Sequence, residues 1–503
     1  MKKAPCIAYL RPLMLRLSIS AISFVCLLGV SRIAAAQNAG NVDPTQTTDW
    51  APGAIGHAQQ MRRFKDADQG SQPTPTIIPK LGVDDDPSGR VGTFQPGGAT
   101  ITANNAFFQN LGTNGRTCFS CHQPQNGWTV SAASVRARFE ASEGKDPIFR
   151  LVDGATCPSD DVSTLAAKRQ AYKLLPDKGL IRIGLPTTNL NFTIQVDQDP
   201  YGCTTSSIIS LYRRPLPSTN LRFLTTIMWD GREPSLAHQS VDATRIHAQA
   251  NADPTTGQQN EIVAFESGIS TAQIFDSGVH DLHAAGATGG PVALSLQPFS
   301  QGVNDPPFLS NPNFNHNIFD LYRAWLGLRG RGDETQDRQS IARGEEVFNT
   351  TSINITGVTG LNDVLNQPSI PGFCGTCHDT PNVGNHSVAA PLNIGIANAG
   401  DNSPPALDIS GLPVFTLTCT EQGPLNNQTF TVTDPGRALI TGKCADIGKL
   451  KGPILRGLAA RAPYFHNGSA ATLLDVVNFY DKRFNIGFTE QQKEDLVNFL
   501  NTL

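Results

Sequence analysis

Apolar residues recur at helical spacing in three stretches of the C-terminal third of the chain. Ile341, Gly344, Val347 and Phe348 share one face of a predicted helix. Leu473, Val476, Val477 and Tyr480 share one face of a second, with Thr472 placed before it as N-cap. Leu496, Val497, Phe499 and Leu500 follow Thr489-Glu-Gln-Gln492, a capping box that starts a third. Nowhere does strict alternation run far enough to predict a strand-rich segment, so the expected fold is mainly α with long loops.

Upstream, residues 37–100 are rich in Pro, Gly, Gln, Asp and Thr and read as an extended N-terminal arm. A first domain is expected over 101–330, where Ala106-Phe107-Phe108 and Leu111 open it. Within it, 251–317 reads as a loop insertion, punctuated by Gly289-Gly290-Pro291 and Asp305-Pro306-Pro307. Arg329-Gly-Arg-Gly-Asp333 reads as a linker, and a second domain as 335–503.

The N-terminus changes the picture. Lys2, Lys3, Arg11 and Arg16 precede an apolar run from Leu17 to Val30 and a small-residue exit at Ala34-Ala35-Ala36. That is the pattern of a secretory signal peptide over 1–36, and it predicts an exported, soluble, periplasmic protein. Its removal takes away five basic residues and no acidic one, moving the net charge from −4 to about −9. An acidic surface disfavours nucleic acid and suits a basic redox partner.

Eight cysteines remain after residue 36. Four lie in Cys118-Phe-Ser-Cys121-His122 and Cys374-Gly-Thr-Cys377-His378. Two thiols three positions apart can add to the two vinyl groups of a haem, and the adjacent histidine then faces the iron. A thioredoxin-like pair or half a zinc site would need a βαβ setting or a second cysteine pair, and neither is visible. Two covalently bound haem c groups follow, with His122 and His378 as proximal ligands. The other four cysteines form an even set for an oxidising compartment, and neighbour pairing predicts Cys157–Cys203 and Cys419–Cys444.

The opposite face of each iron decides function. No histidine occurs between Gln123 and Ala237, and after residue 36 the methionines are Met61 and Met228. His57 and Met61 in the arm are remote candidates for a ligand. Few residues can close the first haem, which leaves room for peroxide or oxygen. No methionine follows Met228, so the second haem needs another sixth ligand or none. His280 and His283 read as a solvated pair.

The two haem motifs, Trp229-Asp-Gly-Arg-Glu-Pro-Ser-Leu-Ala-His-Gln239 and Ala462-Pro-Tyr-Phe-His-Asn-Gly468 together resemble the bacterial di-haem cytochrome c peroxidases and their relative MauG. The resemblance covers roughly 101–250 and 335–503. It implies two cytochrome c-like domains, with a peroxidatic first haem and a second haem that relays electrons. It places Trp229 between them, Gln239 in the peroxide pocket and Tyr480 where peroxidases carry a methionine ligand and MauG a tyrosine. By periodicity alone Tyr480 is a core residue; His386 is the alternative ligand. The family's acid–base glutamate falls on Gln249, which cannot exchange a proton. His247 is placed to take that role, or else is simply packed or solvated on its helix, and the local path there is expected to be helical. Arg214 stands where the family has an asparagine ligand for calcium, so a cation there is doubtful. His466 is expected to hydrogen-bond near a haem propionate.

These readings predict an oxidoreductase that activates hydrogen peroxide, drawing electrons from a small cytochrome c or cupredoxin. In a MauG-like variant the oxidising equivalents act on a protein substrate. The rival is a di-haem electron carrier without catalysis.

Overall fold

The computed structural model describes residues 74–306, 313–404 and 406–503. The expected signal peptide, the expected arm up to residue 73, His57 and Met61 lie outside the described residues.

The helices predicted near the C-terminus form as Asp333–Thr350, Leu473–Phe484 and Glu490–Asn501. Thr472 and Thr489 cap the last two: their hydroxyls accept from the amides of Asp475 and Gln492. The first and last helices meet closely at Gly344, where a Cβ would come within 1.9 Å of the Asp495 carbonyl oxygen. Beside that contact, Asp495 accepts from Ser340 Oγ at 2.6 Å and from Arg343 Nε at 2.8 Å. Ile341, Phe348, Leu496, Phe499 and Leu500 bury between the helices, and Leu473 and Val477 join them. Isolated ion pairs add little; the apolar seam holds this crossing.

The expectation of a mainly α fold is overturned. The chain is 31% helical with 17% strand in several sheets, a mixed α/β fold. The strands are short and pair across long sequence distances, so no local alternation announces them. Two come from the expected arm: Leu81–Asp86 and Gly89–Phe94 form a hairpin whose turn is held by Asp86 Oδ1, which accepts from Ser88 N and Gly89 N. Their third partner, Ser270–Asp276, lies in the expected 251–317 loop, as does the Thr256–Gly268 helix. Elsewhere Phe192–Gln198 pairs with Val414–Cys419, joining segments more than 200 residues apart in the chain. Both expected disulfides form, Cys157–Cys203 and Cys419–Cys444. Among the described residues no helix is long and apolar enough to cross a membrane.

The Thr256–Gly268 helix packs Ile262 and Phe265 onto Phe107, Phe108, Phe119 and Trp128. This aromatic cluster encloses the first Cys-x-x-Cys-His motif, and each motif borders its own cavity.

Candidate haem cavities

Each motif begins as a single 3-10 turn, Cys118–Ser120 and Cys374–Thr376. The backbone amide of His122 donates to the Cys118 carbonyl at 3.0 Å, and that of His378 to Cys374 at 3.0 Å. In both motifs the ring is then fixed by its Nδ1, 2.8 Å from the Trp128 carbonyl for His122 and 2.7 Å from the Gly384 carbonyl for His378. A carbonyl only accepts, so Nδ1 carries the proton and Nε2 keeps its lone pair for a metal. Burial pushes His122 down to about 4 and lowers His378 as well, so both imidazoles stay neutral. The four motif cysteines are free thiols, and burial lifts Cys374 and Cys377 to about 12.

The first cavity is ≈ 170 Å³ and the second ≈ 210 Å³. Trp229 lines both, as do Arg214, Pro215, Lys451 and Arg461. The indole is nearly buried, and its Nε1 donates to the Arg214 carbonyl at 2.8 Å. Below it, Asp230 pairs with Arg213 and Arg232, and Arg213 also binds Asp434.

The shared wall carries an unusual charge balance. Lys451 and Arg214 are buried there and Arg461 is half-buried, none with a carboxylate partner among the described residues, and the buried Arg456 lines the first cavity likewise unpaired. The Nε atoms of Arg456 and Arg461 have no hydrogen-bond partner. Burial, and then the charge of Arg461, pulls Lys451 down to about 7; burial brings Arg214 to about 9. Several unpaired buried cations are costly and call for anions. A haem carries two propionates, so paired thiols, a neutral histidine and this cationic rim suit the group at both cavities.

The Leu236–Ile246 helix, capped by Ser235, turns one face to the first cavity. Gln239, Ala243 and His247 stand four residues apart on that face, and all three line the cavity. The expected helical path is therefore present. His247 Nδ1 lies 2.5 Å from Asp153 Oδ2, whose other oxygen binds Arg116 Nη1 at 2.5 Å. Burial opposes ionisation of Asp153, but the charge of Arg116 and the bond from His247 hold its carboxyl below the usual range. Gln249 is exposed, bonded to Asn114 Nδ2 at 3.2 Å, and lies outside the cavity wall. Met228 lines the first cavity too.

In the second cavity Tyr480 joins Leu473, Val476 and Val477 on the wall. Its ring centroid is 5.3 Å from that of Phe479 and 6.3 Å from that of Phe484. Its hydroxyl makes no hydrogen bond among the described residues, and burial raises its phenol. His386 lines the same cavity, with Nδ1 3.1 Å from Asp379 Oδ2. His466 borders neither cavity: it is fully buried 6.2 Å from the Trp229 ring, its Nε2 3.6 Å from Asp434 Oδ2. Arg214 donates from Nη2 to the carbonyls of Val130 at 2.7 Å and Arg461 at 2.8 Å, and from Nη1 to Lys178 at 3.2 Å. Sequence reasoning missed Asp153, Arg116, Lys451 and Glu266. Asp153 lies 94 residues from His247, and no local pattern links them.

Residues 450–486 match the family model described as RoxA-like, cytochrome c-like. The chain is 26% identical over 259 residues to the cytochrome c551 peroxidase of Nitrosomonas europaea, covering 49% of this chain and 66% of that protein. It is 41% identical over 81 residues to the cytochrome-c peroxidase IdrP1 of Denitromonas iodatirespirans, covering 14% of this chain and 22% of the relative. A MauG-like protein associated with microbial copper homeostasis aligns over 79% of this chain and 86% of its own, at 16% identity and a TM-score of 0.34. The matches thus span from about a fifth to two thirds of these peroxidases' lengths. With its ordered motifs the chain resembles the bacterial di-haem cytochrome c peroxidases, and the cytochrome c-like match and the peroxidase relatives support a haem c protein.

Proposed function

We propose that this chain is an exported, periplasmic enzyme that reduces hydrogen peroxide with two haem c groups. One is attached at Cys118 and Cys121 and the other at Cys374 and Cys377, with His122 and His378 as proximal ligands. The observation that carries the reading is Trp229, one side chain in the wall of both cavities.

Bound haem would supply an iron able to take peroxide and pass single electrons. The residues do the rest. At the first cavity the His247 Nδ1–H is held by Asp153, which leaves Nε2 as the atom that accepts and returns a proton. Gln239, two turns away on the same face, offers an amide to orient peroxide. Reduction of one peroxide to two waters consumes two protons and two electrons. His247 is the route for protons, and Trp229 the path for electrons from the second cavity. Tyr480 would hold the iron of the second haem, where an anionic oxygen donor would favour the ferric state and lower the potential. A small cytochrome c or cupredoxin supplies the electrons. Tyr480 also suits the MauG-like variant, in which stored oxidising equivalents modify a protein substrate. Arg214 donates to the carbonyls of Val130 and Arg461, a role in which no calcium is needed.

Met228 in the first cavity wall favours a second reading, a closed di-haem electron carrier. Optical and EPR spectra of the diferric and half-reduced protein during peroxide titration separate the two. A high-spin ferric signal that peroxide consumes supports the enzyme. Two low-spin haems indifferent to peroxide, with the Met228→Leu variant opening one of them, make it a carrier.

A further inference from the structure

Two helices of the chain begin alike. Thr255 and Gln258 cap Thr256–Gly268 as Thr489 and Gln492 cap Glu490–Asn501. Counted from the capping threonine, Ile262 matches Leu496 and Phe265 matches Phe499, and all four are buried. The next position breaks the likeness. Leu500 lines the second cavity as an apolar residue, whereas its counterpart Glu266 lines the first cavity as a carboxyl.

Glu266 is 5% exposed, and its Oε2 has no hydrogen-bond partner. Its helix packs on the Ala106–Phe108 turn, the Leu221–Phe223 turn and the Leu236–Ile246 helix. The first carries no titratable group. On the second, Arg222 donates to the carbonyls of Leu294, Ser295 and Gln297. On the third, His238 is bound to Glu233, Arg245 pairs with Asp253, and Asp242 stands with Glu233 and His238; beyond its end, His247 is bound to Asp153. Glu261 on the same helix accepts from Ala106 N. None of these pairs with Glu266, while the Cys118 thiol feels its charge. A buried carboxyl without a counter-ion is expensive to ionise. It persists here on the cavity wall at a position where the sister helix has leucine.

We propose that Glu266 is the proton site coupled to the redox change of the first haem. When one electron arrives from the donor, the carboxylate takes one proton from solvent and becomes the neutral acid; when the electron leaves, the proton leaves with it. The added negative charge in the cavity is thereby cancelled within the same wall. Burial alone lifts the carboxyl to about 8, so the coupling operates from about that pH upward, where the oxidised protein holds the carboxylate. This proposal rests on the reading that Cys118 and Cys121 hold a haem.

The test is the midpoint potential of that haem in the intact protein, measured from about pH 6 to pH 10. In the wild type the potential falls as pH rises through the titration of Glu266. Glu266→Gln makes it flat over the same interval, and Glu266→Asp restores a slope. A reduced-minus-oxidised infrared difference spectrum shows a protonated-carboxyl C=O band that Glu266→Gln lacks. A wild-type potential independent of pH overturns the proposal without any variant. So does a slope that persists in Glu266→Gln and vanishes in His247→Asn. Absence of haem on Cys118 and Cys121 overturns both this proposal and the functional reading, whereas haem present with a flat potential overturns this proposal alone.

Discussion

Trp229 is fastened to Arg214 by a 2.8 Å hydrogen bond from its indole Nε1 to the arginine's backbone carbonyl. The Arg214 amide in turn donates to the His466 carbonyl at 2.6 Å. Two of the segments that carry the family resemblance, around Trp229 and around His466, therefore meet through one arginine. That bond fixes the indole plane in the wall between the cavities, where an aromatic relay needs to be.

Trp229→Phe keeps an aromatic ring there but removes the donor and the more readily oxidised indole. The Arg214 carbonyl loses its partner, at a cost of about 1–3 kcal/mol in stability. Haem content holds, while stopped-flow traces show peroxide-driven oxidation at the second haem slowing strongly. Unchanged transfer between the haems would reduce Trp229 to a packing residue.

Two haem adducts are expected by intact-mass measurement, because thioether bonds survive denaturation. Cys118→Ala with Cys121→Ala removes one adduct, and Cys374→Ala with Cys377→Ala removes the other. A wild-type mass with a single adduct contradicts the di-haem assignment.

Tyr480→Phe leaves the ring in the same apolar setting, so the Leu473–Phe484 helix survives on Leu473 and Val477. The low-spin EPR signal of the second haem falls and its potential rises. His386→Ala leaves that signal alone, since its ring is held by Asp379. The opposite pattern would transfer ligation to His386.

Asp153→Asn breaks the dyad with His247 and leaves Arg116 without its anion. Peroxide turnover should fall by about 10²–10⁴-fold, the usual share of general acid–base catalysis. The carboxyl also links stability to pH. Its folded value lies below its unfolded one, so its contribution is complete above about pH 4 and lost as pH falls through the folded value. Thermal melts across that acid range should show a shallower fall in the Asn variant than in the wild type.

Gly344→Ala drives a Cβ against the Asp495 carbonyl at the helix crossing. A loss of about 1–3 kcal/mol in denaturant unfolding is expected. A neutral result would mean that the two helices can separate locally at no cost.

Some of this molecule was determined by the sequence alone, because the physics involved is local. Each Cys-x-x-Cys-His motif is one turn of backbone, and the caps at Thr472 and Thr489 act within three residues. The face shared by Gln239 and His247 follows from helical geometry on one short segment. Tyr480 was legible as a helix-face residue, but the periodicity could not say that its wall is a cavity. Tertiary structure alone decided the rest. The sheet that joins residues 81–94 to 270–276, the His247–Asp153–Arg116 chain and the cations Lys451 and Arg461 in the shared wall all depend on segments far apart in the chain. Their partners are chosen by burial and chain closure, so no local periodicity records them. Glu266 belongs with these: in the sequence it is one acidic residue on a helix, and only packing makes it a buried carboxyl at a cavity wall.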